Sequence, residues 1–174
     1  VPIVMVGSQR SSDRPSSDAA LNLIHSVTTA AISDIAEVMV CMFGPTSDMY
    51  GLLHRGTRVR KMHSSYRSTF RTIGDIPIAT VSRDKVTPIR DDYKRRRFDN
   101  DVKVNAVFDD RVAIVYYYPN MKPDMIDSLI DNGYKGIVIA GTGLGHVNKP
   151  LYPALKRAKE KGVAVYMTVQ TLWG

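Results

Sequence analysis

The chain predicts an α/β fold built on a parallel sheet, as two α/β units joined by an irregular linker, and three observations predict it. Short apolar runs such as Val1–Val6, Val38–Phe43, Val112–Tyr117 and Gly136–Ala140 are nearly continuous rather than alternating, the pattern of strands covered on both faces. The order strand, helix, strand occurs in the first 43 residues and again after residue 110, and such units form parallel sheets. Between them, Lys94-Arg-Arg-Arg97 and Asp99-Asn-Asp101 come with few apolar anchors, a linker composition. The expected division is residues 1–90, a linker at 91–108, and residues 109–174.

Taken in order, residues 1–7 form an apolar run closing on Gly7, and Ser8 to Ser17 is polar throughout. Asp18 or a nearby serine can cap the next helix by accepting a free amide hydrogen. Leu21, Ile24, Thr28, Ala31 and Ile35 recur at three- and four-residue steps, so that side of the helix is expected to face inward. Residues 37–43 make the second strand, and the shorter runs 51–54, 58–63 and 78–82 read as strands interrupted by loops. In the second half, Pro123 to Asn132 reads as a helix with Ile126, Leu129 and Ile130 inward and Gly133 as its stop. Asn148 opens another helix with Pro150 in its first turn, Leu151, Leu155 and Ala158 on one face, and Gly162 at its end. Residues 163–168 form the last strand.

The bulk properties set outer bounds. An apolar share of 44% with 24% charged residues is ordinary for a globular chain. No apolar run approaches the roughly 20 residues that span a bilayer, and no secretory leader stands at the start, so a cytoplasmic protein is expected. The single cysteine, Cys41, lies in an apolar run and reads as a buried strand residue in a reducing compartment. A net charge of +7 is compatible with a nucleic-acid partner without establishing one. The chain opens directly on a strand without an initiator methionine and closes on a strand with no helix after it, and so reads as a piece of a longer polypeptide.

Ligands in open α/β sheets sit beyond the carboxyl ends of strands, and two loops qualify, Gly7–Arg10 and Ala140–His146. The second has Gly141, Gly143 and Gly145, at the first, third and fifth positions, where a dinucleotide fingerprint needs the first, third and sixth. Its glycines read instead as permitting close backbone approach to a ligand or a neighbouring subunit. Lys94, Arg95, Arg96 and Arg97 are candidates for phosphate contact; an exposed solvated loop is the equal alternative. If residues 59–63 are extended, Val59, Lys61 and His63 share one face and Arg60 and Met62 the other. A partly desolvated Lys61 near another cation could draw a proton from a hydroxyl nucleophile; a lysine in a basic surface patch is the plainer alternative.

Several stretches together resemble the L-asparaginase family: Val4-Met-Val-Gly-Ser-Gln-Arg10 followed by Ser16-Ser-Asp-Ala-Ala-Leu-Asn-Leu23, the segment Val59 to Phe70, and Asn132 to His146. The resemblance implies an asparaginase-like parallel-sheet fold and amide hydrolysis by a threonine nucleophile. By position it implies that Lys61 is the family's catalytic lysine, Ser8 a substrate contact, and His146 a contact to a neighbouring subunit's site where free asparaginases usually carry Asn. The family's two threonine motifs are not among these residues, and Thr46, Thr57 and Thr69 lack the required flanks. "LLHRGTRVRKMHSS" and "VQTLWG" resemble the family branch that works within tRNA-dependent amidotransferases. That branch implies ammonia released from Gln or Asn, and a partner subunit that binds ATP and magnesium and amidates Glu-tRNA(Gln). It also implies a homodimer, with no cofactor in this subunit. A free-standing L-asparaginase and a basic tRNA-docking module without catalysis are the two alternatives.

Overall fold

The computed structural model describes residues 1–46, 48–99 and 102–173. Ser47, Gly174, and Asn100 and Asp101 of the expected linker lie outside the described residues. The chain divides into two compact units, Val1–Lys103 and Val104–Gly174, each with its own apolar core.

In the first unit, β1 (Ile3–Val6), α1 (Ala19–Ile32) and β2 (Val38–Phe43) form the expected strand–helix–strand unit, with β1 and β2 paired in parallel. Beyond β2, where the sequence set no strand direction, the sheet is antiparallel. β3 (Gly51–Arg55), β6 (Ala79–Val81) and β7 (Val86–Pro88) extend it in the order β1-β2-β3-β6-β7, each pair after the first antiparallel. Loop length explains the change. Only residues 44–50 separate β2 from β3, and a parallel return needs a crossover of about a dozen residues or more. β4 (Val59–Lys61) and β5 (Phe70–Thr72) form a separate antiparallel ribbon, with Lys61 opposite Phe70.

α1 corrects a second expectation. Its buried side is Asn22, His25, Ser26 and Thr29, while Leu23, Ile24, Val27, Ala31 and Ile32 are exposed. Apolar spacing fails to mark the inward face because the inward polar groups find partners close at hand. Ser26 Oγ donates to the Asn22 carbonyl and Thr29 Oγ1 to that of His25, both at 2.8 Å. Bonding back to the carbonyl four residues earlier lets a hydroxyl be buried without an orphaned donor. The first core collects around Ile35, Met39, Cys41, Leu53, Ile78, Ala79 and Val81. Cys41 is fully buried there, as expected, and burial pushes its thiol up to about 11.

In the second unit the strand β8 (Val112–Tyr116), helix α2 (Asp124–Asp131), strand β9 (Gly136–Gly141), helix α3 (Tyr152–Glu160) and strand β10 (Ala164–Val169) alternate as expected. The sheet is wholly parallel, in the order β10-β9-β8. Ile126 and Ile130 of α2 and Ala154 and Ala158 of α3 close its core over Val115, Ile137 and Ile139. Gly133, at φ +79°, and Gly162, at φ +71°, end the helices where the stop signals place them; both lie in the left-handed region that favours glycine.

Residues from the start of the expected linker are tied to the first unit. The Ala36 N–H donates to the Lys94 carbonyl at 2.7 Å, and Arg96 N–H to that of Asp34 at 2.6 Å. No described helix is long and apolar enough to cross a membrane.

Candidate functional site

Three short segments of the first unit build the candidate site: the loop leaving β1 (Gly7–Arg10), the start of α1, and the turn joining β4 to β5. Asp18 stands at the N-cap position of α1, yet its side chain accepts no helix amide hydrogen. Ser17 Oγ accepts from the Ala19 N–H at 3.2 Å instead. The fully buried Asp18 carboxylate turns to the β1 loop, accepting Gln9 N–H at 3.0 Å and Arg10 N–H at 2.9 Å. Asn22 Nδ2 donates to the same carboxylate at 2.8 Å and to the Gly7 carbonyl at 3.0 Å, so both ends of the loop are held.

The turn after β4 is pinned by one hydroxyl. The buried Thr69 Oγ1 accepts His63 N–H at 2.6 Å and donates to the His63 carbonyl at 2.7 Å, and Met62 N–H donates to the Thr69 carbonyl at 2.9 Å. Both roles of that hydroxyl are filled, so Thr69 is a structural threonine. Inside the turn, His63 Nδ1 accepts the N–H groups of Ser65 and Tyr66, each at 3.0 Å. Arg67 lies over the Phe43 ring at 4.3 Å and donates to the Thr46 carbonyl and to Asp48, while Ser68 Oγ donates to the Gly44 carbonyl. The loop after β2 is thereby held to this turn.

Gln9 links the two loops. Its Nε2 donates to the Ser64 carbonyl at 2.7 Å. The loop that carries Ser8 and the turn that follows Lys61 are therefore in contact, and a polar cleft of about 740 Å³ lies between them, lined by Gln9, Arg10, Arg14, Ser64 and Ser65 among others. Lys61 is not among its lining residues. Lys61 ends β4 and is exposed, as is Ser8. Among the described residues, the expected shielding of the Lys61 ammonium is not found, since the ribbon that carries it has only two strands of three residues.

The basic run is half absorbed into structure. Arg95 pairs with Asp34 and stacks on Tyr93, with its guanidinium carbon 5.0 Å from the ring centre. Arg96 donates to the carbonyls of Ala30 and Ala31 at the end of α1, at 2.5 and 3.5 Å, where a cation meets the negative end of the helix dipole. The run is therefore not a free four-residue patch, and the end of α1 is what claims Arg95 and Arg96. Among the described residues, no carboxylate pairs with the side chains of Lys94 or Arg97.

A second hollow, of about 750 Å³, is lined by Glu37, Arg55, Asp92, Tyr93 and Lys94 among others. Arg55 grips Glu37 through Nε at 2.7 Å and Nη2 at 3.2 Å, and this grip holds the Glu37 carboxyl below its usual range. Asp75 and Asp92 join the cluster through Arg90. The hollow sits at the amino ends of β1 and β2, away from the strand ends where ligands gather, and its carboxylates are paired with Arg55 and Arg90. It reads as a structural ion-pair network.

His146 belongs to the second unit. Thr142 and His146 face each other across a tight turn, His146 N–H donating to the Thr142 carbonyl at 2.7 Å and Thr142 N–H to that of His146 at 3.0 Å. A side chain on Gly141 would meet the Gly145 carbonyl carbon at 2.5 Å and His146 nitrogen at 2.8 Å, so the expected close approach is made by the loop's own backbone. Gly143 and Gly145 sit at φ +54° and +96°. The His146 side chain is exposed. Sequence reasoning missed the parts played by Gln9 and Thr69; neither has a local signature, since each acts through a partner distant in sequence or through backbone groups.

The fold is of the mixed α/β class, with parallel strands in both units. The asparaginase N-terminal family model matches residues 1–94, and the glutaminase/asparaginase C-terminal domain model matches residues 111–174; the chain belongs to the asparaginase family. It is 58% identical over 174 residues to the D-type subunit of the glutamyl-tRNA(Gln) amidotransferase of Thermococcus kodakarensis, covering 99% of this chain and 39% of that protein. The corresponding subunit of Pyrococcus furiosus gives the same identity and coverage, and that of Aeropyrum pernix is 47% identical, with 99% and 41% covered. The chain thus spans about two fifths of the length of these curated relatives. Among solved structures, the thermostable L-asparaginase from Thermococcus kodakarensis superposes with a TM-score of 0.83 at 28% identity, covering all of this chain and 50% of that one.

Proposed function

We propose that this chain is part of an amidotransferase subunit that releases ammonia from an amide donor, Gln or Asn, for conversion of Glu-tRNA(Gln) to Gln-tRNA(Gln) by a partner subunit. The observation that carries the reading is the 58% identity to the D-type subunit of glutamyl-tRNA(Gln) amidotransferase over 99% of the chain, the segment around Lys61 included. In the chemistry of the family, a threonine hydroxyl oxygen attacks the side-chain amide carbon as its proton is drawn off. The carbon–nitrogen bond breaks, the nitrogen takes up a proton and leaves as ammonia, and water then hydrolyses the acyl-enzyme ester to the free acid. Two moderate barriers replace one high one.

Lys61's role on this reading is to help remove the hydroxyl proton and to balance the charge that develops. Ser8 contacts the substrate, and His146 reaches a neighbouring subunit's site in a homodimer. ATP and magnesium belong to the partner subunit, which uses the ammonia in the cytoplasm. Lys94 and Arg97, with Arg95 and Arg96 behind them, supply basic surface toward tRNA. The observation behind Ser8 and Lys61 as one site is the Gln9–Ser64 bond that joins their loops.

The test is ammonia release by the full-length subunit, from Gln and from Asn, with and without the partner subunit and Glu-tRNA(Gln). Turnover that depends on the partner and the charged tRNA, and that is abolished by Lys61→Met, is expected. Robust partner-independent hydrolysis of Asn would move the assignment to a free-standing L-asparaginase, and normal turnover by Lys61→Met would remove the lysine from the chemistry.

A further inference from the structure

We propose that Asp18 is a positioning residue for the amide-hydrolysing site, acting through Gln9 to fix the Ser8 loop against the turn that follows Lys61. The inference deepens the functional reading above and rests on it. Three features set this carboxylate apart from a helix cap. It occupies the N-cap position but makes no bond to the helix amides. It is fully buried. Its partners are the backbone N–H groups of Gln9 and Arg10 and the side-chain amide of Asn22, all within 3.0 Å.

The acceptor-only chemistry of a carboxylate matches that set of donors, since an amide or an alcohol there would aim a hydrogen at other hydrogens. Asn22 completes the clamp by donating to Gly7 at the other end of the loop. Asp18 holds the Gln9 backbone, and the Gln9 side chain carries the tie onward, its Nε2 meeting the Ser64 carbonyl at 2.7 Å. Ser64 stands three residues after Lys61, inside the turn that Thr69 pins. The tie therefore runs from a buried anion, through one side chain, to the segment that carries the lysine. Asp18 and Gln9 need not touch the reacting atoms for their loss to be felt. Misplacing a catalytic group by about 1 Å costs about 10²-fold in rate.

The experiment uses the full-length subunit with its partner and measures ammonia release, with kcat and KM resolved, and melting temperature beside them. Gln9→Met keeps length and bulk and removes only the donor to Ser64; Asp18→Asn keeps shape and places a donor against donors. Gln9→Met is expected to lower kcat at least tenfold with its melting temperature unchanged. Asp18→Asn is expected to lower kcat further, toward 10²-fold, and to melt earlier. A purely structural Asp18 would lower the melting temperature in Asp18→Asn and leave kcat of the folded fraction, and of Gln9→Met, within twofold of the parent; that outcome overturns the proposal. Lys61→Met, run in parallel, separates the two ways of failing. If it is inactive while the Gln9 and Asp18 variants turn over normally, the tie alone is wrong. If it turns over normally, the site reading falls and the tie falls with it.

Discussion

His54 Nδ1 lies 2.9 Å from Thr72 Oγ1, joining the middle of the main sheet to the short ribbon that carries Lys61. His54 is on β3 and is 1% exposed; Thr72 ends β5 and pairs with Val59 at the start of β4. His54 Nε2 is buried without a hydrogen-bond partner among the described residues. The imidazole–hydroxyl contact is one of several ties, with those of Gln9, Arg67 and Ser68, on a two-stranded ribbon too small to be stable by itself.

Burial of His54 makes stability depend on pH. Burial, with the Arg71 guanidinium nearby adding to it, pushes His54 down to about 4 from its ordinary 6.5. Between those values the unfolded chain binds a proton that the native chain refuses, so stability falls as pH drops from 6.5 toward 4 and this contribution is level above 6.5. The shift amounts to about 3 kcal/mol at its full extent. His25, also lowered mainly by burial, acts in the same direction. Thermal melts from pH 7.5 to 4 are expected to show a steep decline that His54→Asn makes shallower; an unaltered slope in that variant would contradict the assignment.

Removing the hydroxyl partner isolates the clamp. Thr72→Val keeps the shape of the side chain and leaves both ring nitrogens of His54 unpaired, which is expected to cost about 1–3 kcal/mol. Urea denaturation gives the total. Amide exchange locates it, and is expected to speed up across β4 and β5 before it does so in β2 and β3.

Gly51 is required by a close approach and not by its backbone angle. A Cβ there would stand 2.8 Å from His25 Nδ1 and 3.5 Å from Cys41 Sγ, both in the core. Gly51→Ala is expected to destabilise by about 1–3 kcal/mol, as overpacking does. Pairing it with His25→Ser, which removes the obstructing ring, should recover part of that loss in a double-mutant cycle. Strict additivity would show that the His25 ring is not the obstruction.

The two bonded arginines of the basic run are expected to behave differently from their neighbours. Arg96→Ala should cost about 0.3–1 kcal/mol by uncapping α1 and leave the salt dependence of tRNA association unchanged. Neutralising Lys94 and Arg97 together should reduce the slope of log K against log salt by up to about 2 and leave the melting temperature alone. Filter binding over a range of salt, beside thermal melts, distinguishes them; a lower slope in Arg96→Ala would return that residue to the phosphate contacts.

Most of the elements are legible in the chain because they rest on local periodicity. α2 shows its buried face through Ile126 and Ile130, α3 through Ala158 with Leu151 just before it, and Gly133 and Gly162 end them. α1 is the exception. Its inward residues, Asn22, His25, Ser26 and Thr29, carry no hydrophobic signal, because what permits their burial is hydrogen bonding to groups that only the folded chain supplies. Candidate loops were likewise legible, since glycines and polar runs directly after apolar strands mark the ends where ligands gather.

By itself the sequence determined the three helices and most strands to within a few residues, though not β5 or β7, together with the parallel character of the second unit, the burial of Cys41 and the family. Those features follow from side-chain pattern and motif order, which are properties of neighbouring residues. Only the tertiary structure decided that the first sheet turns antiparallel after β2, that Asp18 serves a loop and not its helix, that Arg95 and Arg96 are occupied, and that Gln9 reaches Ser64. Each of these depends on a partner chosen by distance in space, and a polar group's partner is invisible until the backbone has brought the two together.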